Sequence, residues 1–305
     1  MTLPEVRRPA FRIDESVPFQ WQPANPTFGI FGNVFTFLAI AFERYIVSAV
    51  REAAGRITDP DVTAEADVFL KQEAQHARAH YHHAKALIAR YPGLADTLAA
   101  ANAAYDELLE REPLEFHLAY IADLEATFTP LFKMVLDHRG PLFAGGDERV
   151  GTLFLWHFVE EIEHRSSALV VQRHVTPDRW YRLRVAPKVF AHVTRQYGQI
   201  LAGIDENVPV ADSVVPAHTA SPNRLWLPEL AARTPFVRRR RGPESATTML
   251  HHVPGRDLRR MIGRLTRSPL PRHDPAHEPL PAWVDEWHAA YRSGDDVTTY
   301  AGARL

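Results

Sequence analysis

The longest apolar stretch of the chain runs from Phe28 to Phe42, is interrupted by Asn33, and passes directly into Glu43 and Arg44. Its length of about fifteen residues falls short of the ~20 that span a bilayer. We therefore expect it to form the first half of a buried helix. Up to residue 176, the pattern shows none of the apolar and polar alternation that is typical of strands.

Proline and glycine divide the region up to residue 176 into four long predicted helices. Only five of the 24 prolines lie between residues 28 and 176, and a proline-poor region rich in Ala, Leu, Glu and Arg favours helix. Asp59 before Pro60 is typical of a helix start. The predicted helices run from about Asn33 to Arg56, from Pro60 to Arg90, from Gly93 through a bend at Pro113 to His138, and from the Gly145-Gly146-Asp147 loop to just before Thr176.

The C-terminal third contains most of the prolines and predicts shorter elements. We expect a fifth helix over Asp178–Ile204 with a kink at Pro187, and a loop over residues 205–222. Further helical pieces are predicted near Leu225–Arg233, Glu244–Arg267 and Pro281–Arg292. The whole pattern predicts an all-α fold with an extended arm over residues 1–27, a four-helix bundle over 28–204 and a basic, proline-rich helical extension over 205–305 that packs on the bundle.

Each of the four long predicted helices carries a carboxylate within an apolar stretch, and two of them add a histidine three residues later. Positions i and i+3 share one face of a helix, so a Glu oxygen and a His nitrogen can reach one metal ion. One Glu-x-x-His motif often arises by chance, but two copies with a lone Glu on each remaining helix match the di-metal sites of helical bundles. The candidate ligands are Glu43, Glu73 and His76, Glu125, and Glu161 and His164.

The fourth helix adds a third histidine and an ambiguity. His157 lies within the same arc of roughly 60° as Glu161, at 100° per residue, and is a seventh candidate ligand. Glu160 fits this arc too; we prefer Glu161 because only it gives the Glu-x-x-His spacing found on the second helix. His80 lies one turn after His76 and is either an eighth ligand or a hydrogen-bond partner of a ligand.

The amino-acid composition limits which ligands and which metals this site can have. The chain has no cysteine, which excludes a disulfide scaffold, a thiolate or iron–sulfur site and a cysteine nucleophile. Four ionised carboxylates balance two divalent cations, which offsets the cost of burying either set alone. Oxygen and imidazole donors suit iron or manganese and leave zinc open. Outside this set, we expect the remaining paired histidines, His82 and His83 and likewise His251 and His252, to be exposed.

Four segments resemble the ferritin-like di-iron superfamily, and within it the family of predicted metal-dependent hydrolases. They are Phe42-Glu43-Arg44, Gln72-Glu73-Ala74-Gln75-His76 through His80, Glu125-Ala126-Thr127-Phe128-Thr129, and Trp156-His157-Phe158-Val159-Glu160-Glu161-Ile162-Glu163-His164. The last segment is also similar to the p-aminobenzoate N-oxygenases, whose di-iron site has an additional His. The resemblance covers roughly residues 10–200. It implies a ferritin-like bundle with Glu43, Glu73, His76, Glu125, His157, Glu161 and His164 as metal ligands.

A carboxylate-bridged iron pair in a dry cavity suits O2-dependent oxidation of a small organic substrate. We therefore predict a di-iron oxidase or oxygenase with two Fe ions, O2 as cosubstrate and an external electron donor, with a Mn/Fe pair or Zn as the metal alternatives. A di-metal hydrolase using a metal-bridging hydroxide and a non-enzymatic, iron-handling bundle are the other two hypotheses. No catalytic side chain beyond the ligands and no organic cofactor is predicted. Six aromatic residues are candidates to line the cavity: Phe35, Phe42, Tyr45, Phe128, Phe132 and Phe158.

Charge is distributed unevenly along the chain. Residues 1–176 carry a net charge of -8 and residues 177–305 a net charge of +6, with 12 arginines and three acidic residues between Arg224 and Arg272. We expect this basic segment to contact the acidic bundle, including across a homodimer interface, or an anionic membrane surface or an anionic substrate, and not nucleic acid. The charged N-terminus lacks the apolar core of a signal peptide, which favours a cytoplasmic location.

Overall fold

The first long helix, α1, begins at Pro26, seven residues before the predicted start at Asn33, and ends at Ala53. Proline suits the first helical position, and the Asn25 side chain caps this end by accepting a hydrogen bond from the Phe28 N–H. By length and composition alone, α1 together with the turn to Arg56 is long and apolar enough to cross a membrane. Since 89% of its most apolar window is buried inside the protein, this helix has the character of a core helix.

The computed structural model describes residues 3–221 and 249–300, and within these residues the structure contains helices and turns but no strand. The all-α prediction is confirmed for this part of the chain. The helices are α1 (Pro26–Ala53), α2 (Pro60–Arg90), α3 (Leu94–Arg111), α4 (Leu114–Asp137), α5 (Arg139–Phe143), α6 (Glu148–Glu163), α7 (Ser167–Val175), α8 (Tyr181–Asn207), α9 (Val210–Ser213), α10 (Gly255–Leu265) and α11 (Trp283–Ser293).

Two of the predicted long helices are each divided in two. The predicted bend at Pro113 is a break, because Glu112 is extended and Pro113 becomes the residue before α4. The fourth predicted helix is interrupted after Glu163, where no proline or glycine marks the sequence. There the Arg165 side chain donates to the Ile162 carbonyl and to the Pro275 carbonyl, which satisfies a terminal carbonyl of α6.

The remaining predicted elements differ from those in the structure mainly in where they begin and end. The helix predicted over Asp178–Ile204 is α8, and Pro187 lies inside it without ending it. The expected loop over residues 205–222 contains the end of α8, the short α9 and a 3-10 turn. Of the predicted C-terminal pieces, α10 is shorter than Glu244–Arg267 and α11 lies close to Pro281–Arg292. The predicted helix over Leu225–Arg233 and the arginine run Arg238–Arg241 lie outside the described residues.

The core is formed by α1, α2, α4, α6 and α7, with α3 and α8 packed along one side and α10 against α4. The N-terminal arm is tied to this core by buried side chains. Trp21 donates its indole N–H to the Gly29 carbonyl, and the Asn33 amide donates to the Phe19 carbonyl. The centre of the helical core is where the predicted ligands lie.

Candidate metal centre

The seven candidate ligands converge in the interior from four helices and the residue that follows α6. Each of their side chains is at most 4% exposed. They form two groups of four, and in each group one donor atom from every member lies within 4.8 Å of the others. Glu43, His76, His157 and Glu161 form the first group, and Glu73, Glu125, Glu161 and His164 form the second.

Glu161 belongs to both groups and presents a different oxygen to each. Its Oε1 lies 2.8 Å from His157 Nε2 and 3.4 Å from His76 Nδ1, whereas its Oε2 lies 3.4 Å from His164 Nε2. A carboxylate whose two oxygens face two separate donor groups has the arrangement needed to bridge two cations.

The cluster contains buried carboxylate oxygens and imidazole nitrogens that form no hydrogen bond within the described part of the protein. His164 Nε2, for example, lies 3.0 Å from Glu73 Oε1 but in an orientation that forms no hydrogen bond. Burying such atoms unpaired is costly, and a cation would satisfy them. The unpartnered atoms are Glu43 Oε2, both Glu73 carboxylate oxygens, His76 Nδ1, Glu125 Oε2, Glu161 Oε2 and His164 Nε2.

The pKa shifts of the carboxyl groups also indicate that the cluster suits cations. Burial and the neighbouring carboxylates raise the pKa of Glu43 and of Glu125 well above the usual range. At Glu161 burial opposes ionisation, but the surrounding histidines outweigh it and hold the pKa of this carboxyl well below the usual range. Four carboxylates that repel one another in a buried site fit two divalent cations, and the oxygen and imidazole donors suit iron, manganese or zinc.

Each candidate histidine directs one ring nitrogen to the cluster and the other to an acceptor outside it. His76 Nε2 lies 3.0 Å from Glu160 Oε2, and His157 Nδ1 lies 2.7 Å from His80 Nε2. His164 Nδ1 lies 3.3 Å from the Gln72 side-chain oxygen. A neutral imidazole that binds a metal through one nitrogen carries its proton on the other, so these three contacts are the ones that metal-bound histidines need.

Glu160 and His80 therefore lie beside the cluster but outside both donor groups. Glu160 Oε1 accepts from the Trp156 indole N–H at 2.9 Å and from Arg7 at 3.3 Å, and its Oε2 lies 3.0 Å from the outer nitrogen of His76, so neither oxygen belongs to a donor group. His80 reaches the cluster through the outer nitrogen of His157. Of the adjacent pair on α6, only Glu161 faces the cluster.

The expectation that His83 is exposed is wrong. Its ring is fully buried, and its Nδ1 lies 2.9 Å from the Thr36 hydroxyl, which also lies 3.0 Å from His80 Nδ1. The reason is that α1 covers this face of α2. His82 and His252 are exposed, and His251 is half-buried.

A small apolar cavity adjoins the cluster. It measures about 10 Å³, room for about one water-sized molecule, and its walls combine the carboxylates with Phe35, Leu38, Phe42 and Phe128. Three of the six predicted aromatic residues thus line it. Phe132 and Phe158 stack on each other behind Phe35 at 4.2 Å, and Tyr45 lies elsewhere, 3.0 Å from His117 Nδ1.

Charged residues near both ends of the described chain support the cluster, and none of them was predicted from the sequence. Arg7 in the arm is 2% exposed and binds Glu163 at 2.6 Å as well as Glu160. On the other side, His288 on α11 lies 3.2 Å from Glu163. No local signal marks Arg7, because the two glutamates that accept its hydrogen bonds lie more than 150 residues away in the chain.

Comparison with known protein families gives a match over most of the chain. The model of a family described as predicted metal-dependent hydrolase matches residues 5–215, which include all seven candidate ligands, Glu160 and His80. No curated protein and no solved structure matches the chain.

Proposed function

Because the chain belongs to the family of predicted metal-dependent hydrolases, we propose that its buried cluster holds two metal ions as the centre of an enzyme. Glu43, His76 and His157 would hold one ion, Glu73, Glu125 and His164 the other, and Glu161 would contact both. The shared carboxylate supports this assignment most directly, since its two oxygens face the two groups separately.

Among the reactions open to such a centre, we propose O2-dependent oxidation of a small organic substrate at two iron ions. The observation that carries this is the small cavity with apolar walls beside Glu43 and Glu161, which has room for about one water-sized molecule. Bound iron would supply the electrons and the O2 chemistry that protein side chains lack. Seven protein donors leave few coordination positions for a hydrolytic water and a substrate together.

The protein residues would bind, orient and exclude water. Phe35, Phe42 and Phe128 separate the cluster from solvent with apolar groups. Glu160 and His80 hold the outer nitrogens of two histidines and so fix the orientation of both rings. Organic substrate needs the aromatic wall to open, because the cavity as it stands is too small for it.

Hydrolysis by a metal-bound hydroxide is the second candidate, and the family description favours it. A metal-binding bundle without enzymatic activity is the third.

The test compares two glutamates on the same helix. Purified protein is stripped of metal, loaded anaerobically with Fe(II), and assayed for iron content, visible spectrum and O2 uptake. We expect about two Fe per chain, a spectral change on exposure to air and O2 consumption coupled to an added reductant. Glu43→Gln should lose metal and O2 uptake, whereas Glu52→Gln, at an exposed position of α1, should retain both.

Protein that carries about two Zn as isolated, and whose Fe(II)-loaded form does not react with O2, would contradict the oxidase proposal. If the same zinc form also hydrolyses a panel of ester and amide substrates, the hydrolase alternative stands in its place. Iron that is oxidised once and accumulates without further turnover supports the non-enzymatic alternative.

A further inference from the structure

A second pocket lies on the opposite side of Trp156 from the cluster. It has a volume of about 400 Å³ and is lined by the N-terminal arm, α2 and α6. The Trp156 ring packs edge-on against His76 at 5.0 Å, and Phe11 of the arm packs on Trp156 at 5.4 Å. This pocket is thus separated from the candidate ligands by one side chain.

The charged groups of this pocket are two guanidiniums. Arg8 from the arm and Arg78 from α2 supply them, Gln75 and His82 from α2 also line the pocket, and no acidic residue of the described chain does. Within the described residues neither guanidinium forms an ion pair, and both side chains are exposed at the pocket mouth. A larger cleft nearby, of about 630 Å³, differs in this respect, because Arg7 and Arg292 are paired there with Glu163 and Glu5.

The remaining walls are apolar and flat. Phe11, Ala79 and Trp156 provide them, and Trp156 has its indole N–H engaged by Glu160. A guanidinium is a planar fork of donors that matches a carboxylate or a phosphate. Two such forks beside aromatic surface suit a ligand that has an anionic head and a flat, apolar body.

We propose that the pocket between Arg8, Arg78 and Trp156 binds a small organic anion of this kind, carrying a carboxylate or a phosphate. The site is distinct from the metal cluster, and its occupancy does not depend on which metal the cluster holds or which reaction it performs.

Isothermal titration calorimetry of the full chain with benzoate, phenyl phosphate and benzyl alcohol tests this proposal. We expect saturable binding of at least one of the two anions, with their relative affinity identifying the preferred head group, and no binding of the neutral alcohol. Affinity should fall at high salt, because charge attraction contributes to it. Arg78→Gln should weaken anion binding at least about tenfold, since a charge-assisted hydrogen bond is lost.

Two further variants separate this site from other anion sites. Arg51→Gln changes an exposed arginine at the end of α1 and should leave the affinity unchanged. Ala79→Leu reduces the pocket volume while it keeps both guanidinium groups, and should also weaken binding. Equal anion affinity in the wild-type protein and Arg78→Gln, binding of benzyl alcohol as tight as that of benzoate, or no anion binding at low salt would each overturn the proposal.

Discussion

The three candidate histidine ligands have three different outer partners: a carboxylate, an amide oxygen and a second imidazole. A carboxylate and an amide oxygen can only accept, and an imidazole nitrogen accepts in one of its two neutral tautomers, so all three contacts fit a histidine whose inner nitrogen is free to bind a cation. The orientation of the Gln72 side-chain amide is fixed as well. Its nitrogen donates to the Glu5 backbone carbonyl, so its oxygen is the atom that faces His164. Outer contacts of this type commonly contribute ten- to hundredfold to metal affinity.

The adjacent glutamates on α6 should therefore respond differently to substitution. Glu161→Ala removes a donor from both groups, and we expect metal content to fall from about two ions per chain to one or fewer. Glu160→Gln should keep about two ions but bind them roughly ten- to hundredfold more weakly, through its contact with His76. Elemental analysis and chelator competition measure the two effects. Full metal content in Glu161→Ala with loss in Glu160→Gln would reverse the assignment.

The outer contact of His157 continues through His80 and Thr36 as a series of hydrogen bonds that all run in one direction. If His157 Nδ1 donates to His80 Nε2, then His80 Nδ1 carries a proton and donates to the Thr36 hydroxyl, which in turn donates to His83 Nδ1. Thr36→Val keeps the shape but removes this acceptor and donor. We expect metal affinity to fall about tenfold and the free energy of unfolding to fall by about 1–3 kcal/mol.

Thr36→Ser is the matched control, since it retains the hydroxyl. It should restore most of the metal affinity, measured by chelator competition, and most of the stability, measured by urea unfolding. Equal metal affinity in Thr36→Val and the wild-type protein would show that the chain does not orient His157.

At the scale of elements, the sequence predicts the ends of a helix correctly where a local capping residue sets them. The second helix was predicted from Pro60 to Arg90 and has these bounds, because the Asp59 side chain caps its first turn by accepting from the Asp61 and Val62 N–H groups. The break between α6 and α7 was missed because Arg165 stabilises it through the distant Pro275 carbonyl. Ligand spacing within a helix is likewise local, whereas partners such as Thr36 and Arg7 depend on tertiary packing.

The packing of α1 on α2 gives acid sensitivity through His83. Burial lowers the pKa of His83 to about 4, whereas in the unfolded chain its pKa lies near the ordinary value of 6.5. The unfolded state therefore takes up a proton first, and stability is lost as the pH falls from about 6.5 towards 4. At pH 5 the loss from this residue is about 2 kcal/mol.

His83→Gln should remove that part of the pH dependence. We expect the decrease in the free energy of unfolding between pH 7.5 and pH 5 to be about 2 kcal/mol smaller than in the wild-type protein. Urea unfolding at both pH values measures it. His82→Gln, at the exposed neighbouring position, should show the wild-type decrease, and the same decrease in His83→Gln would contradict the prediction.

At the scale of the whole molecule, segments near both ends of the described chain meet beside the end of α6. The Arg8 N–H donates to the Tyr291 hydroxyl of α11, and the Arg7 guanidinium lies 5.7 Å from the Trp287 ring centre. Arg7 also binds Glu160, which holds His76, and Glu163, which lies next to His164. The arm and α11 thus support the cluster through a buried charge network, and stability and metal binding should be coupled there.

Arg7→Met should be strongly destabilising for this reason. The substitution leaves the buried Glu160 and the half-buried Glu163 without their cation, and removing one partner of a buried pair costs about 3–5 kcal/mol. Arg44→Met is the matched control, because Arg44 is 51% exposed and lies 3.8 Å from Asp106, a surface pair that contributes at most about 1 kcal/mol. Urea unfolding of both variants measures the difference. Equal stability of Arg7→Met and Arg44→Met would show that the carboxylates of α6 are not stabilised by the arm. Unchanged metal affinity in Arg7→Met would show that this charge network does not contribute to metal binding in the cluster.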